Sequence, residues 1–263
     1  MKPFIKWVGG KANIADQIAA RMPDKIRTYV EPFVGGGAVF FAVHDRCKDA
    51  VLADTNEHLV SAFRTVRGRL PELSRRLREL EYEYNSAVSQ EAMYYRVRDE
   101  TPDGDLERAA RLILLNRTGF NGLWRENKKR KMNTPWGKKD EVKLCDRSVF
   151  EACSSALAKA SVRCMPFEKT ALLALGPGDV LYMDPPYVGT FTAYQADPVP
   201  MSRLWAVARL TYQRGVKVIV SNADHPEVRG AFVDSFWKVE EIDARVAVGG
   251  AKKVRRELLI QSV

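Results

Sequence analysis

The stretch "DVLYMDPPYVG", residues 179–189, places an acid, two prolines and a tyrosine at the end of an apolar run. Proline lacks the N–H that a β-ladder uses and fixes its own backbone, so the run reads as a strand that stops at Asp184. The Asp184 carboxylate then sits beside carbonyls whose neighbouring nitrogens carry no hydrogen, next to the flat face of Tyr187. A place rich in acceptors and poor in donors suits an exocyclic aromatic amine such as N6 of adenine. That nitrogen is a poor nucleophile because its lone pair is delocalised into the ring. Acceptors at its two hydrogens, the Asp184 carboxylate and the Pro185 carbonyl, would turn it toward tetrahedral geometry and free the pair. Tyr187 would stack on the base and hold it in line, and the carboxylate would face the positive charge that develops on nitrogen. This chemistry requires no metal. A rigid turn is the other reading of Asp-Pro-Pro-Tyr, and it weakens when the tetrapeptide follows a nucleotide-type glycine turn.

Such a turn is present. In "EPFVGGGAVF", Gly35, Gly36 and Gly37 occupy a strand-to-helix junction, where missing Cβ atoms let a ligand approach the backbone. Asp54 ends the next strand, where a carboxylate typically accepts hydrogen bonds from ribose hydroxyls. Both features fit a nicotinamide dinucleotide as well as S-adenosylmethionine. A dinucleotide needs its pyrophosphate on the helix N-terminus. Glu31, just before the glycines, is a poor neighbour for pyrophosphate and a better one for a cation, which favours the methyl donor.

The elements that must position these residues follow βαβ grammar, predicting an α/β fold with a parallel sheet covered by helices. "RTYVEPFVGGGAVFFAV" reads as strand, turn and helix, and "DAVLADTN" as a second buried strand ending in an acid. Later come a helix at "SVFEACSSALAKA", strands at "VRCMPF" and "DVLYMD", and a helix at "PMSRLWAVARLTYQRG" stopped by Gly215. "VKVIVSN" is another buried strand, and "FWKVEEI" with "RRELLIQSV" reads as a hairpin at the sheet edge. Between the second and third strands the grammar changes to charged helices, then a buried helix running into an Asn-Gly turn. Residues 58–145 therefore read as a mainly helical insertion carrying a basic hairpin, and residues 1–57 with 146–263 as the domain it interrupts.

Composition sets the outer limits. At 263 residues with 46% hydrophobic and 29% charged side chains, the chain is a globular protein with a core of ordinary size. No apolar run is long enough for a spanning helix, and "MKPFIKWVGGKAN" lacks the apolar stretch of a secretory signal, so a cytoplasmic protein is expected. Cys47, Cys145, Cys153 and Cys164 form no CxxC pair and read as reduced thiols. His44, His58 and His225 stand alone and read as surface or core residues. The net charge of +9 favours a polyanionic partner. It is concentrated in "WRENKKRKMNTPWGKK", residues 124–139, where seven Lys or Arg face one Glu.

Taken together, these motifs resemble the Dam-type N6-adenine DNA methyltransferases. The resemblance covers most of the chain and rests on "FIKWVGGK", "EPFVGGGAVFF", "LADTNEHLV", "GFNGLWREN" followed by "NTPWG", "YMDPPY" and "VSNAD", in that order. It implies a Rossmann-like class I methyltransferase sheet, S-adenosylmethionine as cofactor, and a target-recognition domain at 58–145. Trp7 and Lys11 would lie by the methyl donor, with Gly9 and Gly10 allowing close approach. Phe33, Gly35 and Gly37 would line its pocket, Asp54 would hold the ribose, and Phe167 would pack on its adenine. Asp184, Pro185 and Tyr187 would carry catalysis.

The partner implied is double-stranded DNA, with the target adenine flipped from the helix at a cost of a few kcal/mol. Arg125 is the candidate reader of guanine by a bidentate contact, with Asn121 and Asn127 as further readers. Phe120 could wedge into the gap left by the base. Lys128, Lys129, Arg130 and Lys131 would contact phosphate. GATC is the target the family suggests, but Phe120 stands where a tyrosine is expected, and Trp124 and Glu126 depart from the pattern. A monomer suffices for methylating one adenine at a time. An RNA methyltransferase is the nearest rival, separated by preference for a deoxy substrate. A DNA-binding module without catalysis would not need the intact Asp-Pro-Pro-Tyr. A nicotinamide dehydrogenase would need an acid-base pair beyond Asp184, and none is evident.

Overall fold

The structure, a computed structural model, describes residues 1–127, 129, 131–188, 199–248 and 251–263, with the backbone alone for 245–248 and 251–253. Its centre is a seven-stranded sheet. In chain order the strands are β1 (Ile26–Glu31), β2 (Cys47–Asp54), β3 (Ala160–Cys164), β4 (Val180–Met183), β5 (Lys217–Ala223), β6 (Trp237–Val248) and β7 (Ala251–Ser262). In space they run β3-β2-β1-β4-β5-β7-β6. Strands β1 to β5 are mutually parallel, whereas β7 is antiparallel to both β5 and β6.

The helices are α1 (Ala15–Ala19), α2 (Ala38–Val43), α3 (Glu57–Gly68), α4 (Leu70–Asn85), α5 (Gln90–Asp99), α6 (Gly104–Thr118), α7 (Arg147–Leu157), α8 (Phe167–Ala171), α9 (Met201–Tyr212) and α10 (Pro226–Ala231). None among the described residues is long and apolar enough to cross a membrane.

Local sequence explains the element ends. All four residues of β4, "VLYM", are buried, as a strand covered on both faces requires. Helix α3 starts where the Asn56 side chain accepts the Leu59 N–H at 3.0 Å. Leu73, Leu77, Leu80 and Tyr84 fall on one face of α4 and are buried together. Gly215 closes α9 with φ of 79°, and a Cβ there would lie 3.0 Å from Pro177.

Two expectations need correction. The strand expected at "VRCMPF" ends at Cys164, because Pro166 breaks it and Phe167 already opens α8. The closing pair of strands is longer than the two short apolar runs suggest, twelve residues each, and its second strand lies inside the first.

Helices α3 to α6 fall between β2 and β3 in the sequence but do not enclose a core of their own. Phe63, Leu73, Tyr84, Ile113 and Leu115 join the same buried cluster as Tyr29, Leu52, Tyr182 and Ile219 of the sheet. After α6 the chain forms a loop that folds back on itself. Its rungs are the Asn127 N–H to Lys131 C=O bond at 2.9 Å and the Asn133 N–H to Arg125 C=O bond at 2.8 Å.

Candidate active site

Parallel strands deliver their C-terminal ends to one edge of the sheet, where ligand crevices form. Here those ends carry Glu31 from β1, Asp54 from β2, Asp184 just beyond β4, and Asn222 from β5.

Asp184 is held on both oxygens. Its Oδ2 lies 2.7 Å from Lys11 Nζ, with the two side chains 16% and 7% exposed. Its Oδ1 accepts the Ser221 hydroxyl at 2.8 Å. Ser221 Oγ and the Tyr182 hydroxyl are also 2.8 Å apart. A hydroxyl has one proton to give, so Ser221, donating to Asp184, must accept from Tyr182. Burial and the nearby charge of Asp184 push the Tyr182 phenol well above its ordinary pKa, which keeps that proton in place.

Lys11 also donates to the Gly9 carbonyl at 2.7 Å, and its Nζ stands 4.6 Å from the centre of the Tyr187 ring. The Tyr187 hydroxyl donates to Glu257 Oε2 at 2.7 Å. Burial, with the negative charges of Asp184 and Glu257, raises the Tyr187 phenol well above its usual range. Asn222 Oδ1 accepts the N–H of Val188 at 3.3 Å and of Ala223 at 2.8 Å. The tetrapeptide is thus pinned from β5 and β7 at once.

The glycine turn lies beside this cluster. Gly35 has φ of 47°, in the left-handed region, and a Cβ there would stand 3.0 Å from the Trp7 ring. Its N–H reaches Asp54 Oδ2 at 3.3 Å, and the Asn56 N–H reaches Asp54 Oδ1 at 3.0 Å. Burial raises the Asp54 pKa against the pull of these N–H groups, and the charge of Glu126 adds to the rise. At Gly37 the space for a Cβ is taken by the Phe41 and Phe63 rings at 3.1 Å, so that glycine answers to internal packing. Phe33 and Phe167 stack with centroids 5.2 Å apart and planes 26° apart. Glu31 lies beneath, 2% exposed, accepting the Tyr29 hydroxyl at 3.0 Å. Burial pushes its carboxyl well above the ordinary range, so it is a poor counter-charge for a bound cation.

The candidate DNA readers sit on the loop after α6. The Arg125 guanidinium is engaged across that loop, with Nε donating to Asn133 Oδ1 at 2.6 Å and Nη2 to the Asn133 carbonyl at 3.0 Å. Asn127 Oδ1 accepts the N–H groups of Lys129 at 2.9 Å and Lys131 at 3.1 Å, so this side chain shapes the turn. Asn121 has φ of 54°, and Phe120 beside it is half exposed. Lys129 and Lys131 are exposed; Lys128 and Arg130 lie outside the described residues.

Several contacts carry no signal in the sequence. Ser221, Glu257, Asn133 and the Asn56–Glu126 bond at 3.3 Å meet partners far along the chain or on the opposite limb of a loop. "VSNAD" marks Ser221 as belonging to a motif, but its partner is visible only in the fold. Among the described residues no group of three or more His, Cys, Asp or Glu side chains gathers as a metal site would.

Comparison with known proteins supplies the family. The family model described as D12 class N6 adenine-specific DNA methyltransferase matches residues 7–248. The chain is 33% identical to the Type II methyltransferase M1.LlaDCHI of Lactococcus lactis subsp. cremoris, over 97% of this chain and 92% of that one. It is 31% identical to the Type II methyltransferase M.MjaIII of Methanocaldococcus jannaschii, covering 90% and 89%. It is 30% identical to a DNA adenine methylase of Salmonella typhimurium, covering 98% and 94%. A carboxylate and tyrosine fixed at the edge of a parallel sheet, and a family match spanning nearly the whole sequence, lead to one assignment: the chain belongs to the D12 class of N6 adenine-specific DNA methyltransferases.

Proposed function

We propose that this DNA adenine-N6 methyltransferase takes its methyl group from S-adenosylmethionine and acts on an adenine turned out of duplex DNA, with Asp184, Pro185 and Tyr187 performing the chemistry. The observation that carries the reading is the Asp184 carboxylate, fixed between Lys11 and Ser221 with the Tyr187 ring alongside.

The residues present fit the donor. Asp54 at the end of β2 would accept the ribose hydroxyls, the Phe33–Phe167 pair would hold its adenine, and Trp7 with Gly35 would form the adjoining wall. When bound, S-adenosylmethionine supplies an electrophilic methyl group on a sulfonium sulfur.

The chain's own groups do the rest. Each carboxylate oxygen of Asp184 has two lone pairs and has accepted one partner, so either can take a hydrogen of the target amine. The Pro185 carbonyl would take the other, and the carboxylate would face the charge developing on nitrogen. Tyr187, its ring fixed by Glu257 and covered by Lys11, would stack on the base. Residues 58–145 would bear recognition. Arg125, preorganised by Asn133, would read guanine, Asn121 and Asn127 would assist, and Phe120 would fill the vacated stack. Lys128, Lys129, Arg130 and Lys131 would meet phosphate. GATC is the first sequence to try, and the enzyme would work as a monomer.

The test is transfer of tritium from labelled S-adenosylmethionine to unmethylated plasmid DNA and to a matching RNA transcript, with Asp184→Ala alongside. Label recovered as N6-methyladenine from DNA only, and absent with the variant, supports the reading. Label on RNA alone, or undiminished transfer by Asp184→Ala, overturns it.

A further inference from the structure

The basic run at residues 124–139 contains a single acid, Glu126, flanked by the two polar residues proposed to face DNA. Adjacent side chains on an extended limb point to opposite sides. Glu126 sits on such a limb, bridged antiparallel to Met132. Its side chain turns inward, and its Oε1 accepts the Trp124 indole N–H at 2.7 Å and the Asn56 side-chain N–H at 3.3 Å. Trp124 is buried against the His58 ring, 5.1 Å between centroids. Asn56 is the hinge of the arrangement. Its backbone N–H holds Asp54 Oδ1, its Oδ1 caps α3, and its Nδ2 reaches Glu126.

We infer that Glu126 is a positioning residue that ties the DNA-reading loop to the ribose acid of the donor pocket, so that the order of one favours the order of the other. The inference rests on the donor and DNA assignments proposed above. Three hydrogen bonds in series, Trp124 to Glu126, Asn56 to Glu126 and Asn56 to Asp54, span from the loop to the pocket floor. DNA contacts at Arg125 and Asn127 would fix the limb that carries Glu126. The fixed carboxylate would in turn hold Asn56 where its N–H orients Asp54 toward the donor. Linkage makes the effect reciprocal, so the donor would tighten DNA binding by the same factor that DNA tightens donor binding.

The experiment is calorimetric titration of S-adenosylhomocysteine into the protein, alone and with a duplex fragment that the wild-type enzyme methylates. Wild-type affinity is expected to tighten by about fivefold or more with the duplex, the low end of typical coupling between sites. Glu126→Ala should reduce that tightening to less than about twofold, and Glu126→Gln, whose carbonyl oxygen accepts the same two N–H groups, should keep it. Asn56→Asp gives a second route: it preserves the cap on α3 but removes the donor to Glu126 and sets a like charge against it. It too should lose the coupling. Wild-type tightening that persists in both Glu126→Ala and Asn56→Asp overturns the inference, as does a wild-type protein with no tightening at all. Failure of the wild-type protein to bind S-adenosylhomocysteine, or to methylate any duplex, would instead overturn the functional reading beneath it.

Discussion

The Tyr187 hydroxyl donates to Glu257 Oε2 at 2.7 Å, across 70 residues of sequence. Glu257 comes from β7, the antiparallel strand beside β5, and Asp184 is held by Ser221 of β5. The aromatic and the acid of one tetrapeptide are therefore fixed by neighbouring strands in register, Asn222 facing Leu258 and Ala223 facing Glu257.

Glu257→Ala is expected to lower kcat by roughly ten- to hundredfold through a misplaced ring, with little change in KM for DNA. Tyr187→Phe removes the same hydrogen bond from the other side. The combined variant should be no worse than the poorer single one, a coupling of roughly 0.5–3 kcal/mol. Steady-state kinetics on an unmethylated duplex substrate checks this, and strictly additive losses would rule out the link.

Lys11 and Asp184 form a largely buried pair. Lys11→Met should destabilise the protein by about 3 kcal/mol, because an uncompensated carboxylate remains inside. Adding Asp184→Asn should recover most of that loss, since a neutral amide needs no counter-charge, although activity stays absent. Urea melts of the wild type and the two variants would show it; no recovery in the double variant would mean that Lys11 acts through packing.

His58 titrates at about 4, lowered by burial and then by the positive charges of Arg111 and Arg108. An unfolded histidine titrates near 6.5. The neutral ring thus contributes stability that is complete above about pH 6.5 and drains away as pH falls toward 4, amounting to about 2 kcal/mol by pH 5. His58→Phe keeps a ring against Trp124 and removes the titration. Its urea midpoint should fall less than the wild type's between pH 7.5 and pH 5, and parallel declines would refute the assignment.

Lys129 and Lys131 are exposed on the loop after α6. If both meet phosphate, the double alanine variant should flatten the slope of log K against log salt by about 1.8, at roughly 0.9 per contact. Fluorescence anisotropy with a labelled duplex over a salt series measures it. An unchanged slope would move the phosphate contacts elsewhere.

How legible the site was depended on how far each partner lay along the chain. Asp54 and Asp184 could be placed at strand ends from local sequence, each a carboxylate closing an apolar run, with Pro185 stopping the second. The glycine turn was readable for the same reason, although Gly37 proves to be set by the Phe41 and Phe63 rings. Ser221 and Glu257 were not readable, because their partners lie 37 and 70 residues away. Lys11 could be placed near the donor by motif, yet its contact with Asp184 emerges only when the N-terminal turn packs beside β4. Arg125 could be named as a reader, but nothing local told that Asn133 would already hold it. The fold was legible through β5; beyond it, two apolar runs could not reveal that the later strand lies on the inside.

That inverted order has a practical side. Strands β6 and β7 join the rest of the sheet along β5 alone, while Ile242, Leu258, Leu259 and Ile260 tie them into its core, so a replacement must keep those apolar positions as a new jaw keeps its hinge. Grafting a hairpin with a different residue opposite Ala223 would retune the grip on Tyr187 while leaving the loop after α6 untouched. The setting of the tetrapeptide is therefore open to adjustment from strands that lie beyond it in the sequence.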